Sequence, residues 1–160
     1  LVADVAAGRL DLAVVAVCAA TPLGVTMHTL AERELVLLCR HDHPRAHDES
    51  VTAQDLADET LVSFQPDWAA RVLADRTFAA GGIRHDVRLE VNDVHTLLDL
   101  VEARLGVAVV PGPIAAKRPD RLAGVPLRGE VPPWEVAVAV SDNPSPAAAA
   151  FLAQLGTMPR

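Results

Sequence analysis

The sequence is poor in aromatic residues, in cysteine and in basic groups. Of its 160 residues 3% are aromatic and none is tyrosine, and Lys and Arg total 14 against 21 Asp and Glu, which leaves a net charge of −7. The basic residues stand alone or in pairs, so the chain lacks the positive stripe that a phosphate backbone requires. We therefore expect that this chain does not bind DNA or RNA by itself.

Long apolar runs and a secretory leader are also missing. No run reaches the roughly 18–20 apolar residues of a membrane span, and the first residues show no charged segment followed by an apolar core. We expect no membrane partner and a cytoplasmic location. Apolar residues nevertheless make up 51% of the chain, which supplies a core for one or two domains and excludes intrinsic disorder as the main interpretation.

The two cysteines, Cys18 and Cys39, both lie inside apolar runs. Their spacing is unlike that of a disulfide scaffold or a Cys-x-x-Cys zinc site, and we predict two buried, reduced thiols. Cys39 lies in a predicted strand and not at a helix N-terminus, which makes it a weak candidate nucleophile. The chain has no Gly-x-Ser-x-Gly elbow and no Walker-type loop, so hydrolase and nucleotide-binding functions lack their usual support.

Strand and helix patterns alternate along the chain. A helical pattern at Leu1, Val2 and Val5 stops at Gly8, and because no capping residue precedes Leu1 we expect that an upstream segment is missing. The predicted strands are 10–17, 25–30, 34–39, 60–64, 86–91, 107–110, 122–127 and 134–140. The other predicted helices are 52–57, 67–80, 92–105 and 145–155. This alternation predicts an α/β fold with mostly parallel sheets, in which the apolar strand 10–17 is covered on both faces.

A short loop holds three imidazoles and a carboxylate, from His41, Asp42, His43 and His47. Such groups could form a Zn²⁺ shell, but a loop interrupted by Pro44 has no fixed ligand spacing, and no further pair of ligands completes the set. We interpret the cluster as a solvated loop with capping or packing roles, and we expect neither a metal nor a cofactor.

Several segments keep a recognisable order and spacing across nearly the whole chain. They are Ala7–Val14, Leu30 with Glu34–Leu38, His43-Pro44, Val51 with Asp55–Ala57, Leu61–Phe64, Val91–Asp93, Leu97–Val101, Gly106–Pro111, Ser145-Pro146 and Phe151-Leu152. Together they resemble the effector-binding domain of LysR-type transcriptional regulators. The chain departs from the family at Arg104 and Leu105, before Gly106, where members commonly have a small residue such as glycine.

The resemblance implies an α/β fold of two Rossmann-like subdomains with a central cleft, similar to type II periplasmic binding proteins. Residues 1–45 with 128–160 would form the first, incomplete subdomain, and residues 46–127 the second. The DNA-binding helix-turn-helix and the start of the effector domain are absent from this sequence, so we expect a fragment of a regulator. Because the neighbour of strand 10–17 would lie in the missing part, we expect that strand's edge to be exposed and the isolated chain to aggregate or bind a hydrophobic dye.

The resemblance also implies where a small-molecule effector binds. The implied effector-binding residues are Ala16, Val17, Cys18, Ser63, Phe64, Gln65, Asn92, Asp93, Val110 and Pro111. Strand ends and helix N-termini leave N–H donors that suit an anionic or polar ligand. Two alternatives stay open: Phe64 could be an ordinary core residue, and Asn92 or Asp93 could be a plain helix cap. We interpret Trp68 and Trp134 as packing residues.

The leading functional hypothesis is therefore a sensor domain that binds a small molecule and catalyses no reaction. An effector that stabilises one orientation of the subdomains would change how homodimers or homotetramers present DNA-binding domains that this chain lacks. The competing hypothesis is a periplasmic-type solute-binding protein, which a signal peptide upstream of Leu1 would reveal. An enzyme ranks third, because no convergent nucleophile, base and oxyanion pattern is visible.

Overall fold

A computed structural model of the chain describes residues 1–155. In chain order its elements are α1 (Val2–Ala6), β1 (Leu12–Val17), β2 (Val25–Arg33), β3 (Leu35–Arg40), a 3-10 helix (Gln54–Leu56), β4 (Leu61–Phe64), α2 (Ala69–Ala80), β5 (Val87–Val91), α3 (Val94–Glu102), β6 (Ala108–Pro111), α4 (Gly112–Ala115), β7 (Leu122–Pro126), β8 (Trp134–Ser141) and α5 (Pro146–Leu155). The predicted alternation of strands and helices is confirmed. Within the described residues, no helix combines the length and apolarity needed to cross a bilayer.

The chain divides into two compact units. The first comprises Leu1–Glu32 and the described residues from Glu135 onward, and the second comprises Arg33–Trp134. The resemblance implies divisions near residues 45 and 128, and both positions lie within the second unit. The physical reason is the pairing of β3, which bonds to β6 and β7 of the second unit. Residues 156–160, which the sequence analysis assigned to the first subdomain, lie outside the described residues.

The first unit contains a three-stranded sheet in the order β1-β8-β2. β1 pairs antiparallel with β8, from Leu12 opposite Val140 to Val17 opposite Glu135. Its small core joins Val5, Ala13, Val25 and Ala139. β1 is an edge strand in this sheet and is only partly covered, since the side chain of Val14 is 53% exposed. The expectation that β1 is covered on both faces is wrong for the described residues.

The second unit contains a β6-β3-β7 sheet and a β4-β5 pair. β3 is antiparallel to both of its neighbours, whereas β4 and β5 are parallel. The prediction of mostly parallel sheets is therefore wrong. Its basis was the alternation of strand and helix patterns along the chain. β3 is a continuous apolar run, buried from Leu35 to Cys39, between two antiparallel neighbours. A strand covered on both faces has such a run whichever way its neighbours point, so the run does not determine direction.

One buried core of the second unit lies where α2 and α3 pack on its strands. Leu38, Val62, Phe64, Leu98 and their neighbours form one buried cluster, and both tryptophans pack against it as partly buried side chains. The interpretation of Trp68 and Trp134 as packing residues is confirmed. This core fixes the strand ends and helix starts from which the candidate site is built.

Helix α3 ends at Glu102, three residues before its predicted end at Leu105. The cause is Arg104, a non-glycine residue with φ of 65°, which no helix can accommodate. The Arg104 guanidinium is paired with Asp42, and the same carboxylate accepts a 2.9 Å bond from Nε of Arg40. Arg104, one of the two residues at which the sequence departs from the pattern it resembles, thus holds a left-handed backbone without glycine.

We expect Arg104→Gly to be more stable than Arg104→Ala by about 1 kcal/mol, because a left-handed backbone costs an alanine roughly that much and costs glycine little. Both variants lose the ion pair with Asp42, so their difference isolates the backbone. Urea unfolding at neutral pH measures it. Equal stabilities would show that the turn relaxes out of the left-handed region when the side chain is removed.

Candidate ligand-binding site

Three strands of the second unit end at one edge, which we call the carboxyl edge. β4 and β5 run parallel, with Phe64 opposite Val91, and the amide of Gln65 donates to the Val91 carbonyl at 3.1 Å. The chain entering β6 runs parallel beside β4, where the Val62 amide donates to the Val107 carbonyl at 2.8 Å. The carboxyl ends of β4, β5 and β6 therefore point the same way, as a binding crevice of an α/β sheet requires.

Seven of the ten implied effector-binding residues lie at these strand ends, in the second unit. Gln65 and Asn92 are exposed and Asp93 is half-buried, so these three can present polar groups at the surface. The other four are buried and belong to the strands: Ser63, Phe64, Val110 and Pro111. The carboxyl edge thus has an accessible polar layer above a packed layer.

Phe64 is 1% exposed and belongs to the same buried cluster as Leu98. It stacks on Trp68 with ring centroids 4.6 Å apart and planes at 7°. The core interpretation of Phe64, left open by the sequence, is therefore confirmed. Its backbone still forms the end of β4, where it determines the position of Gln65.

Asp93 is the N-cap of α3. Its Oδ1 accepts the Thr96 amide at 2.9 Å. Hydrogen bonds from Thr96 hold the pKa of the Asp93 carboxyl below its ordinary value. The plain-cap interpretation is thus confirmed for Asp93, and one of the amides predicted to face a ligand is already satisfied by the protein.

We expect Asp93→Ala to lower the free energy of unfolding at neutral pH. Asp93→Asn should lower it less, because asparagine also caps helices. Since the pKa of Asp93 is lower in the folded than in the unfolded state, its charge-dependent stabilisation is present above the ordinary value of 3.8 and is lost as the pH falls through the folded pKa. Unfolding curves for wild type and Asp93→Asn at pH 7 and pH 3 measure this. A stability difference that stays constant between the two pH values would contradict it.

Helix α2 begins without a side-chain cap, unlike α3, and its first residue differs from the prediction. The sequence pattern started this helix at Asp67, whereas the structure has Trp68 as N-cap with no side-chain hydrogen bond to the helix. Ala69 and Ala70 therefore begin a twelve-residue helix with amides that no side chain caps. These uncapped donors lie beside the end of β4, where they could bind an anion. The signal in the sequence was the lack of a capping residue at position 68.

Arg71 was also missed by the sequence analysis. Its Nη1 donates to the carbonyl of Phe64 at 3.1 Å and to Glu90 at 2.8 Å, so it ties α2 to β4 and β5 at the carboxyl edge. The available signal was its spacing of four residues from Asp75, a pattern typical of a helical ion pair.

The remaining three implied residues belong to the first unit. Ala16 and Val17 end β1, and Cys18 follows; all three are half-buried. They line a cavity of about 280 Å³ whose other walls include Val2, Val15 and Met27. This cavity has an apolar lining suited to the hydrocarbon part of a ligand.

A larger cavity, of about 410 Å³, lies elsewhere in the second unit, at the amino ends of β4 and β6. None of the ten implied residues lines it. Its walls carry several charged side chains, and Nε2 of His43 lies 3.3 Å from Oε1 of Glu59 there. We place the candidate site at the carboxyl edge because the exposed side-chain amides of Gln65 and Asn92 lie there, at the ends of parallel strands. A larger cavity volume does not by itself supply hydrogen-bonding groups for a ligand.

The side chains of the histidine cluster are directed to different partners. His41 contacts the Pro119 carbonyl at 2.8 Å, His43 pairs with Glu59, and Asp42 pairs with arginines. Across residues 1–155 no group of three or more His, Cys, Asp or Glu side chains is arranged to hold a metal ion.

Cys39 is buried, as predicted, whereas Cys18 is only half-buried, and neither forms a disulfide. Burial, followed by the charge of Glu59, raises the pKa of the Cys39 thiol to about 11. This thiol is therefore protonated at neutral pH and does not act as a nucleophile.

Comparison with solved structures establishes the fold class. The effector-binding domain of QuiR in complex with shikimate has a TM-score of 0.80 at 23% identity, covering 96% of this chain and 74% of that one. The regulatory domain of Synechocystis PCC6803 CcmR in complex with 2-PG has a TM-score of 0.82 at 19% identity, with coverage of 96% and 75%. The predicted α/β architecture of LysR effector-binding domains is thereby confirmed.

Comparison of sequences gives the family. The HTH-type transcriptional regulator YbhD of Escherichia coli (strain K12) is 32% identical over 99 residues, which is 61% of this chain and 31% of that protein. The chain spans about a third of the length of the curated relatives it matches. The model of the LysR substrate binding domain matches residues 1–159. The chain therefore belongs to the LysR substrate binding domain family.

Proposed function

We propose that this chain is the ligand-sensing part of a LysR-type transcriptional regulator and that it binds a small anionic effector at the carboxyl edge. The observation that carries the proposal is the convergence of Gln65, Asn92 and the uncapped start of α2 at the ends of parallel strands. Backbone amides and a helix N-terminus attract negative charge, while apolar neighbours bind the rest of a small molecule.

The ligand of one structural neighbour supports this chemistry without identifying the effector. Shikimate, bound to QuiR, is a small carboxylate. A carboxylate can accept two hydrogen bonds from the amides at the start of α2 and a third from the side chain of Gln65 or Asn92. We propose that Ala16, Val17 and Cys18, which line an apolar cavity in the first unit, also contact the effector.

The proposed role is binding without chemistry. An effector changes a regulator when its affinity for two arrangements of the protein differs, commonly by about 1–3 kcal/mol of coupling. We propose that the whole regulator is a cytoplasmic homodimer or homotetramer that binds DNA through a segment outside this chain. The relatives are transcriptional regulators, which favours this role over an enzyme. The alternative of a periplasmic-type solute-binding protein is not favoured by the family match.

Hydrogen exchange tests the proposed site. A panel of small carboxylates that includes shikimate and benzoate is added to the protein, and amide exchange is measured with and without each compound. We expect at least one compound to slow exchange at residues 63–65, 68–71 and 91–93, and its amide analogue to have no effect at the same concentration. Protection confined to other surfaces, or protection by the uncharged analogue alone, would refute the carboxyl edge as an anion site.

A further inference from the structure

Arg71 is a charged side chain enclosed at the base of the carboxyl edge. It is the third residue of α2, and its side chain is 14% exposed. Nε donates to both carboxylate oxygens of Asp75, at 2.9 and 3.0 Å. Nη1 donates to Glu90 at 2.8 Å and to the backbone carbonyl of Phe64 at 3.1 Å. One side chain therefore joins the start of α2 to the last residue of β4 and to β5.

The surroundings hold this guanidinium in one place. Burial opposes its charge, but the hydrogen bonds with Glu90 and Asp75 outweigh burial, and the pKa of Arg71 is raised above its ordinary value. Asp75 is oriented from its other side by His85, whose Nε2 lies 2.8 Å from Oδ1. The His85 ring is in turn stacked on Phe78, with centroids 4.3 Å apart. A planar guanidinium with three fixed acceptors can position a backbone group more sharply than an ammonium can.

We propose that Arg71 is a positioning residue of the effector site, which holds the Phe64 carbonyl and Glu90 so that Gln65, the start of α2 and the end of β5 keep a binding-competent geometry. The proposal rests on the proposed function. It assigns to Arg71 no contact with the effector. Its action passes through the end of β4, because Gln65 follows Phe64 directly and its amide is bonded to the Val91 carbonyl.

Arg118 offers a matched control. It is also a partly buried arginine, 26% exposed, and its Nη1 bonds to Asp99 at 2.6 Å and to Glu102 at 2.8 Å. These partners lie in the second half of α3. Removing this guanidinium therefore breaks a similar two-carboxylate network whose partners lie outside the carboxyl edge.

The first measurement needs no ligand. Three substitutions are made: Arg71→Met, Arg71→Lys and Arg118→Met. Each is made in the wild-type chain and in a Trp134→Phe background, in which Trp68 is the one tryptophan of the chain. We expect Arg71→Met to speed exchange of the Gln65 amide about tenfold and to shift the emission of Trp68, with Arg71→Lys intermediate and Arg118→Met unchanged. Unchanged exchange and emission in Arg71→Met would overturn the proposal.

The second measurement separates positioning from stability. The affinity for the carboxylate found by hydrogen exchange is measured at a temperature where every variant is folded. We expect Arg71→Met to bind at least tenfold more weakly, Arg71→Lys to recover part of the loss, and Arg118→Met to bind like wild type. Should Arg71→Met fail to fold, Arg71→Lys is compared with wild type instead. Lysine keeps the positive charge but lacks the planar set of N–H donors of the guanidinium.

The two possible failures are distinct. Equal affinities in wild type and both Arg71 variants would refute the role of Arg71 and leave the proposed function standing. Absence of any carboxylate-dependent protection at the carboxyl edge of wild type would refute the proposed function and the role of Arg71 with it.

Discussion

Gly106→Ala will destabilise the protein by about 3 kcal/mol, because an added methyl group has no room at this position. A Cβ on Gly106 would lie 2.4 Å from the carbonyl oxygen of Thr60 and 3.2 Å from Cγ2 of Val62. That carbonyl accepts the Val107 amide at 2.9 Å, a bond that fixes the start of β6 beside β4. Relief of the clash requires the segment at Gly106 to move away from the segment at Thr60. The substitution therefore removes backbone hydrogen bonds as well as packing.

Chemical denaturation followed by circular dichroism measures this loss. Gly112→Ala is the matched control, since the nearest heavy atom to a Cβ there is the Glu34 carbonyl oxygen at 3.7 Å. We expect the control to unfold within about 0.5 kcal/mol of wild type. A similar small change for Gly106→Ala would mean that the turn between α3 and β6 can move away from Thr60 without breaking its bond.

Leu98→Ala is expected to cost about 3 kcal/mol, within the range for truncating a fully buried leucine. Leu98 is 0% exposed and belongs to the same buried cluster as Phe64, whereas Leu105 is 49% exposed. The helical spacing of the sequence places both residues on one face of a single helix. The structure separates them, because α3 ends at Glu102.

The pair Leu98→Ala and Leu105→Ala therefore tests where the helix ends. We expect Leu105→Ala to change the free energy of unfolding by less than about 1 kcal/mol. Both variants should retain the wild-type slope of free energy against denaturant concentration, since neither alters the surface exposed on unfolding by much. Equal losses at the two positions would contradict the structure and support a helix that continues to Leu105.

Local pattern predicted the elements of this chain well and their partners poorly. The apolar periodicity of α3 and the cap at Asp93 follow from short-range chemistry, and both are present. β3 belongs to the second unit because it bonds to β6 and β7, and hydrogen-bond partners far along the chain leave no local signature. Strand direction failed for the same reason.

The candidate site shows the same limit. A polar pair at the end of a strand, Asn92-Asp93, is visible in the sequence and caps a helix in the structure. The uncapped start at Trp68 was not predicted, because a tryptophan carries no helix-start signal. Arg104 stands where family members commonly have a small residue. Its left-handed backbone could not be predicted, because arginine rarely adopts that conformation. Whether the ten implied residues contact an effector stays a prediction.

The central position of β3 has a consequence for synthesis of the protein on the ribosome. β3 (Leu35–Arg40) pairs only with strands that follow it far along the chain, β6 (Ala108–Pro111) and β7 (Leu122–Pro126), among the pairings described. At translation rates of roughly 5–20 residues per second, this strand, which is apolar from Leu35 to Cys39, emerges seconds before either partner exists. During that interval it is a hydrophobic segment with unpaired amides, of the kind that chaperones bind and that neighbouring nascent chains capture.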